Sequence, residues 1–251
     1  MSEPSLEGIS EEVWTALAAR LKTLTDWRDE APDRCAETDR ALALEFQWAS
    51  NALDGNTLAR EELAHVLETG LAVGGRPLFH HMEALDQRDA FAFAQAWAEG
   101  PTPFRDVDLR QLHARVTRRT APDLAGRYRD VERTMEGSLT TFAAPDEIED
   151  LVTEFTAWLA GQPEEARTAI EAHERLVSIQ PFADGNGRTA RLVMSAILLR
   201  GGYPLLIVRA EDRPDYDGAL EAIQLGGPRA PYERLMTERL FESFDRYLET
   251  A

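Results

Sequence analysis

Apolar residues recur along this chain at intervals of three and four almost from end to end, the period of an α-helix rather than of a strand. Trp14, Leu17, Leu21 and Leu24 line one face of a first predicted helix, and Ala41, Leu44, Phe46 and Trp48 belong to a second. Further helices are predicted near 59–71, 86–98, 106–118, 146–160, 164–178, 187–201, 212–225 and 229–249. Asp106 and Thr57 have the side chains expected of N-caps. The last stretch carries Tyr232, Leu235, Leu240, Phe241, Phe244 and Leu248, a stripe that needs a partner surface. Trp14, Trp27, Trp48, Trp97 and Trp158 read as core or helix-contact residues.

Two stretches interrupt this rhythm. Gly74 to Glu83 is led by two glycines and reads as a loop or a short hairpin. Gly126 to Pro145 is irregular, with Gly137-Ser138 in its middle. No internal repeat, coiled coil or low-complexity linker is visible, so one mostly α-helical domain is the simplest architecture.

Composition narrows the functional classes. The formal net charge of -18 repels polyanions, which argues against unaided binding to nucleic acid or to an anionic membrane. Any nucleotide would need a local arginine cluster and a divalent cation. The single cysteine, Cys35, allows no internal disulfide, which fits a reducing, cytoplasmic setting, and its thiol reads as incidental. The acidic opening residues lack the pattern of a signal peptide, and no apolar run approaches the ~20 residues that span a bilayer.

The candidate chemistry lies in Gln180-Pro-Phe-Ala-Asp-Gly-Asn-Gly-Arg-Thr-Ala-Arg191. Ala169, Ala172, Leu176 and Ile179 share a face of a helix that must end before Pro181, because a residue preceding proline is pushed out of the α region. A new helix is expected after Gly185-Asn186-Gly187. The two glycines permit a nest of backbone amides, and the positive end of the following helix reinforces it. Arg188 and Arg191, three positions apart, can both reach back to clamp phosphate oxygens. Asp184 supplies the hard oxygen ligand that Mg2+ bridging phosphates requires. Phe182 is expected to point inward as an anchor. The motif is not a P-loop, since no Gly-Lys-Ser/Thr follows.

Residues 180–191 resemble the signature of the Fic (Fido) domain family, His-x-Phe-x-Asp/Glu-Gly-Asn-Gly-Arg-x-x-Arg, and the resemblance runs from about Ala43 to Leu248. Supporting pieces are Gly126 to Arg129, Gly137-Ser138, His173 to Ile179, Arg191 to Met194 and Gly202 to Pro204. The resemblance implies a helical core with a small β-hairpin flap, preceded by an N-terminal helical extension over 1–42. It implies a domain over 43–251 that transfers AMP from ATP to protein hydroxyls or handles another phosphate-linked group. Carried across by position, Asp184 holds Mg2+, and Gly185, Asn186 and Gly187 cradle phosphates. Arg188 and Arg191 grip the far end, and Tyr216 lies near the nucleobase. Arg76, Pro77, Leu78, Phe79 and His80 fall in the expected flap, which aligns a protein target. Ser50 to Asn56 is similar to the family's inhibitory motif, with Asp54 where the family has glutamate. Being one methylene shorter, Asp54 is expected to reach Arg191 loosely or through water, although Asp54-Gly55-Asn56 also reads simply as a helix end.

The chain departs from the family pattern at the position that matters most for chemistry. Gln180 stands where the family has a histidine base, and an amide cannot take a proton near neutral pH. Such acid–base assistance is typically worth ~10²–10⁴-fold. Asp217 replaces a usual tyrosine, Gly226-Gly227 stands where Gly-Asp is common, and Ser195 where asparagine is common. The leading expectation is a Mg-nucleotide binder with weak or absent AMP transfer. The alternatives are an active enzyme with another base, such as His80 or His81, and a non-catalytic scaffold. The remaining histidines, His65, His113 and His173, read as helix supports. The expected partner is a protein target or regulatory protein, with a homodimer possible.

Overall fold

Helix is the rule across residues 8–134 and 140–248, those that the computed structural model describes. Gly137-Ser138 lies outside them. The elements are α1 (Glu11–Glu30), α2 (Pro32–Leu53), α3 (Arg60–Thr69), α4 (Leu78–Glu99), α5 (Asp106–Thr117), α6 (Ile148–Ala160), α7 (Ala166–Ile179), α8 (Asn186–Arg200), α9 (Arg213–Gln224) and α10 (Ala230–Leu248). All ten were expected from the apolar period, with ends displaced by a few residues except at α4.

The N-caps shift slightly. Asp106 is the first helical residue of α5, and the Asp108 carboxylate accepts the Arg105 N–H. Likewise α3 starts at Arg60, three residues after Thr57, and Glu62 accepts the Ala59 N–H. In both cases the acidic residue of the first turn satisfies the orphan donor.

The predicted hairpin at Gly74–Glu83 is not present; a turn over 74–76 leads straight into α4 at Leu78. The physical reason is legible afterwards. His81, Ala84, Gln87 and Phe91 recur at intervals of three and four and are all buried, and Pro77, with φ -56 and ψ 135, sits just outside the helix where its missing N–H costs nothing. Arg76 and Pro77 therefore precede a helix, and Leu78, Phe79 and His80 form its first turn rather than a strand edge. Among the described residues the one isolated β-bridge pairs Tyr128 with Phe182.

Helix α8 is the axis of the fold. It packs against α7, α4 and α5, and twelve of its fifteen residues are buried. A helix buried on all sides places its polar side chains in the interior, where each must find a partner. Around it, α1 and α10 pack together, and Leu17, Leu24, Tyr232, Leu240 and Phe244 join one continuous core. Thus the α10 stripe finds its partner surface. Leu58, Leu63, Val66 and Ala84 form a smaller cluster under α3. The division drawn at 42/43 falls inside α2. Among the described residues no helix is long and apolar enough to cross a membrane.

Candidate functional site

The loop between α7 and α8 is set by backbone geometry before any side chain acts. Helix α7 ends at Ile179, and Gln180 takes a left-handed conformation, φ 48 and ψ 58. It is the one positive-φ residue other than glycine among the described residues. Such a conformation is costly for a non-glycine residue and persists only where the surroundings enforce it. Here the Gln180 carbonyl accepts from Arg129 Nε at 2.8 Å, and Pro181 O accepts from the Arg129 N–H at 3.0 Å. Phe182, fully buried, anchors the turn as expected and stacks on His113 with ring centroids 3.7 Å apart.

Asn186 secures the same loop. Its Oδ1 accepts from the Phe182 N–H at 2.9 Å, and its Nδ2 donates to Phe182 O at 2.7 Å. The Asn186 side chain is thus spent on the loop. Only Gly185 of the two glycines is left-handed, with φ 72; Gly187 lies within α8, which begins one residue earlier than the pattern suggested. Gly187 matters by its lack of bulk, since a Cβ there would lie 3.0 Å from Arg191 Nη1.

His113 and His173 are interior braces. The Gly126 N–H donates to His113 Nδ1, so the ring proton sits on Nε2 and is donated to Asp184 O at 3.0 Å. Burial pushes the His113 pKa down to about 4. His173 lies between the hydroxyls of Tyr216 and Tyr232, each 2.7 Å from a ring nitrogen, and burial pushes it to about 3. Since Tyr232 donates to Ile170 O, His173 Nδ1–H donates to Tyr232, and the Tyr216 hydroxyl donates to Nε2. Tyr216 also accepts a hydrogen bond from Arg191, and burial raises its pKa to about 12.

These elements surround a cleft of about 590 Å3. It brings together Asp54, Gln180, Asp184, Gly185, Asn186, Gly187, Arg188, Arg191 and Tyr216, residues drawn from three separate parts of the sequence. Ser50 lies behind Arg191. Of the residues assigned to the expected flap, only Phe79 reaches the cleft; Arg76, Pro77, Leu78 and His80 do not line it. Arg76 instead pairs with Glu62 at 2.8 Å, and His80 Nδ1 lies 2.9 Å from Thr57 Oγ1. His81 accepts from the Val73 N–H and is likewise absent from the lining.

Both arginines are buried, each 3% exposed, and both meet carboxylates. Arg191 Nε donates to Ser50 Oγ at 2.9 Å, and its Nη2 donates to Ser50 O at 2.9 Å and to Asp54 Oδ2 at 3.0 Å. The Asp54 contact is therefore direct, not loose or water-bridged. The shorter side chain suffices because Asp54 caps α2 just above the guanidinium. Asp54 Oδ2 also lies 3.3 Å from Arg188 Nε. The Gln180 Oε1 atom is buried without a hydrogen-bond partner.

Sequence reasoning missed Glu83, Arg129 and Arg133. Glu83 Oε1 lies 3.3 Å from Arg188 Nη1, and Arg133 Nη1 donates to Ala183 O at 2.7 Å. Glu83 shares a buried face of α4 with Gln87, Ala90 and Ala94, and that upstream continuation of the 86–98 pattern was the signal that would have turned it toward α8. Arg129 stood in the Gly126 to Arg129 piece of the resemblance without a role, and nothing in the local pattern singled out Arg133. Asp184 is exposed at the cleft mouth, with Oδ2 3.7 Å from Arg188 Nη2. No group of three or more metal-ligating side chains is assembled among the described residues.

Comparison with known proteins accounts for this arrangement. Residues 103–198, which include the whole loop, match the Fic/DOC family model. Over 209 residues, 81% of this chain and 48% of the relative, the sequence is 34% identical to protein adenylyltransferase Fic of Nematostella vectensis. The corresponding protein of Culex quinquefasciatus is 31% identical, across 84% of this chain and 42% of its own length. The chain carries a Fic/DOC domain over residues 103–198. It spans about half the length of the curated Fic relatives it matches. Fic-1 (aa134 - 508) from C. elegans superposes with a TM-score of 0.81 at 26% identity, covering 94% of this chain and 72% of that one. A Fic domain protein from Bacteroides thetaiotaomicron shares the fold, with a TM-score of 0.83 at 22% identity over 95% and 96% of the two chains.

Within this Fic fold the remaining departures have ordinary surroundings. Ser195 is buried and donates to Arg191 O at 2.8 Å. Asp217 is exposed and pairs with Arg213 at 3.3 Å. Cys35 is buried, as an incidental thiol would be.

Proposed function

We propose that this protein binds the phosphate chain of a Mg-nucleotide in the α7–α8 cleft, that Asp54 restrains this binding, and that Gln180 leaves AMP transfer to protein hydroxyls weak or absent. One observation carries the reading: two buried arginines from one helix face converge on a single exposed-side carboxylate at the floor of a nucleotide-sized cleft. Two buried cations are costly to maintain unless anions meet them, and phosphate oxygens fit the same donors. The relatives' name, protein adenylyltransferase, supports ATP as the nucleotide and a protein as the acceptor.

The donor set fits Mg2+. Asp184 offers one exposed carboxylate beside the nest, and Mg2+ typically takes one or two carboxylates together with phosphate oxygens and water. When bound, the ion would offset phosphate charge. The chain's own contribution is positional: the loop residues Gly185, Asn186 and Gly187 line the cleft together with the buried Arg188 and Arg191. Gln180, an amide, cannot hold the proton that an acceptor hydroxyl loses. His80 and His81 do not line the cleft, which removes the support for a base from that segment.

Titration calorimetry with Mg-ATP on the present chain and on Asp54→Ala tests the binding claim. Binding strengthened in the variant is expected; absence of binding in both would sink it. Target labelling by Gln180→His/Asp54→Ala, compared with Asp54→Ala alone, tests the chemical claim.

A further inference from the structure

Arg188 is held differently from Arg191. Arg191 satisfies its donors with three hydrogen bonds of 2.9–3.0 Å to the end of α2. Arg188, equally buried, lies among three carboxylates at longer range: Asp54 at 3.3 Å, Glu83 at 3.3 Å and Asp184 at 3.7 Å. Its Nε and Nη1 make no directed hydrogen bond in this arrangement. A guanidinium enclosed by charge but poorly satisfied in geometry is a site where another anion can do better.

Glu83 is the distinctive member of this trio. It comes from α4, neither from the signature loop nor from α2, and it is only 6% exposed, whereas Asp184 opens to solvent. Burial raises its pKa, with Arg188 opposing that shift. Its second oxygen accepts from Asn56 Nδ2 at 2.9 Å, and the same Nδ2 donates to His80 O at 3.0 Å. Asn56 follows Asp54 by two residues. The turn that carries Asp54 is thereby bolted to the carboxylate that faces Arg188.

We propose that Glu83 is a second lock on the phosphate site, occupying Arg188 as Asp54 occupies Arg191, with Asn56 tying the two locks to one turn. This rests on the nucleotide reading above and names a further restraint on that site. A phosphate chain entering the cleft displaces both carboxylates, so removing Asp54 alone frees only part of the site. If Glu83 instead aimed Arg188 at the ligand, its removal would weaken binding, which is the opposite sign.

The experiment is Mg-ATP calorimetry on the full chain in four forms: unchanged, Asp54→Ala, Glu83→Gln and the double variant. Glutamine keeps the length of Glu83 and an acceptor for Asn56 while removing the charge. The double variant is expected to bind about tenfold more tightly than Asp54→Ala. Equal or weaker binding in the double variant, with Asp54→Ala itself binding, overturns the second lock and leaves the nucleotide reading standing. No binding in any form counts against the nucleotide reading, and the lock falls with it. Thermal melting checks that each variant folds, and Glu83→Met gives an uncharged replacement of similar length should glutamine fail.

Discussion

Asp54 and Arg191 are 137 positions apart in sequence and meet at 3.0 Å, one at the end of α2 and the other inside α8. Ser50, one turn before Asp54, holds the same guanidinium through both its hydroxyl and its carbonyl. The end of α2 is thus shaped around a single buried cation.

Replacing Ser50 with alanine removes the acceptor of Arg191 Nε and leaves a buried charged donor unpaired. The expected cost is about 1–3 kcal/mol, or a few degrees in the melting temperature of a chain this size. Denaturant unfolding measures it directly, and an unchanged midpoint would show that the hydroxyl is dispensable.

At Gln180 the backbone already stands in a conformation that histidine tolerates better than most residues. Gln180→His in the Asp54→Ala background should raise target labelling by about 10²–10⁴-fold over Asp54→Ala alone. Labelling that stays flat, with Mg-ATP binding intact, would mean that more than the base has been lost.

Asn186→Ala strips both polar atoms of the Phe182 backbone of their partner. We expect a loss of about 2–4 kcal/mol and weaker Mg-ATP binding in the Asp54→Ala background, since the loop amides lose their frame. Chemical denaturation and calorimetry on the same preparation separate the two effects.

His113 makes stability depend on pH. Its folded pKa of about 4 lies below the ordinary value of 6.5, so the unfolded chain takes up the proton first. Its contribution is present in full above pH 6.5 and disappears progressively as pH falls toward 4, by about 3 kcal/mol. His173, at about 3, adds a loss of the same sign that extends to lower pH. Urea unfolding between pH 7 and 4.5 should show falling stability, with a shallower slope in His113→Gln. A slope identical to that of the unchanged chain would exclude His113 as a source.

Much of this was available from local pattern. The apolar period located every helix, because each buries one stripe of side chains and that stripe is written at intervals of three and four. Proline after Gln180 fixed the end of α7, and the glycine-rich loop with its two arginines marked the candidate site. What misled was Gly74 to Glu83, where two glycines and a proline suggested a hairpin while His81, Ala84, Gln87 and Phe91 already carried a helical repeat.

The sequence by itself determined the helices, the turn at 180–185 and the identity of the charges brought to it, since these depend on neighbours a few residues away. Only the tertiary structure decided which carboxylates meet which arginines. Asp54 touches Arg191, and Glu83 faces Arg188, because α2 and α4 cross the buried α8 at that level. A buried cation selects its partners by distance in space, which the local sequence pattern does not encode.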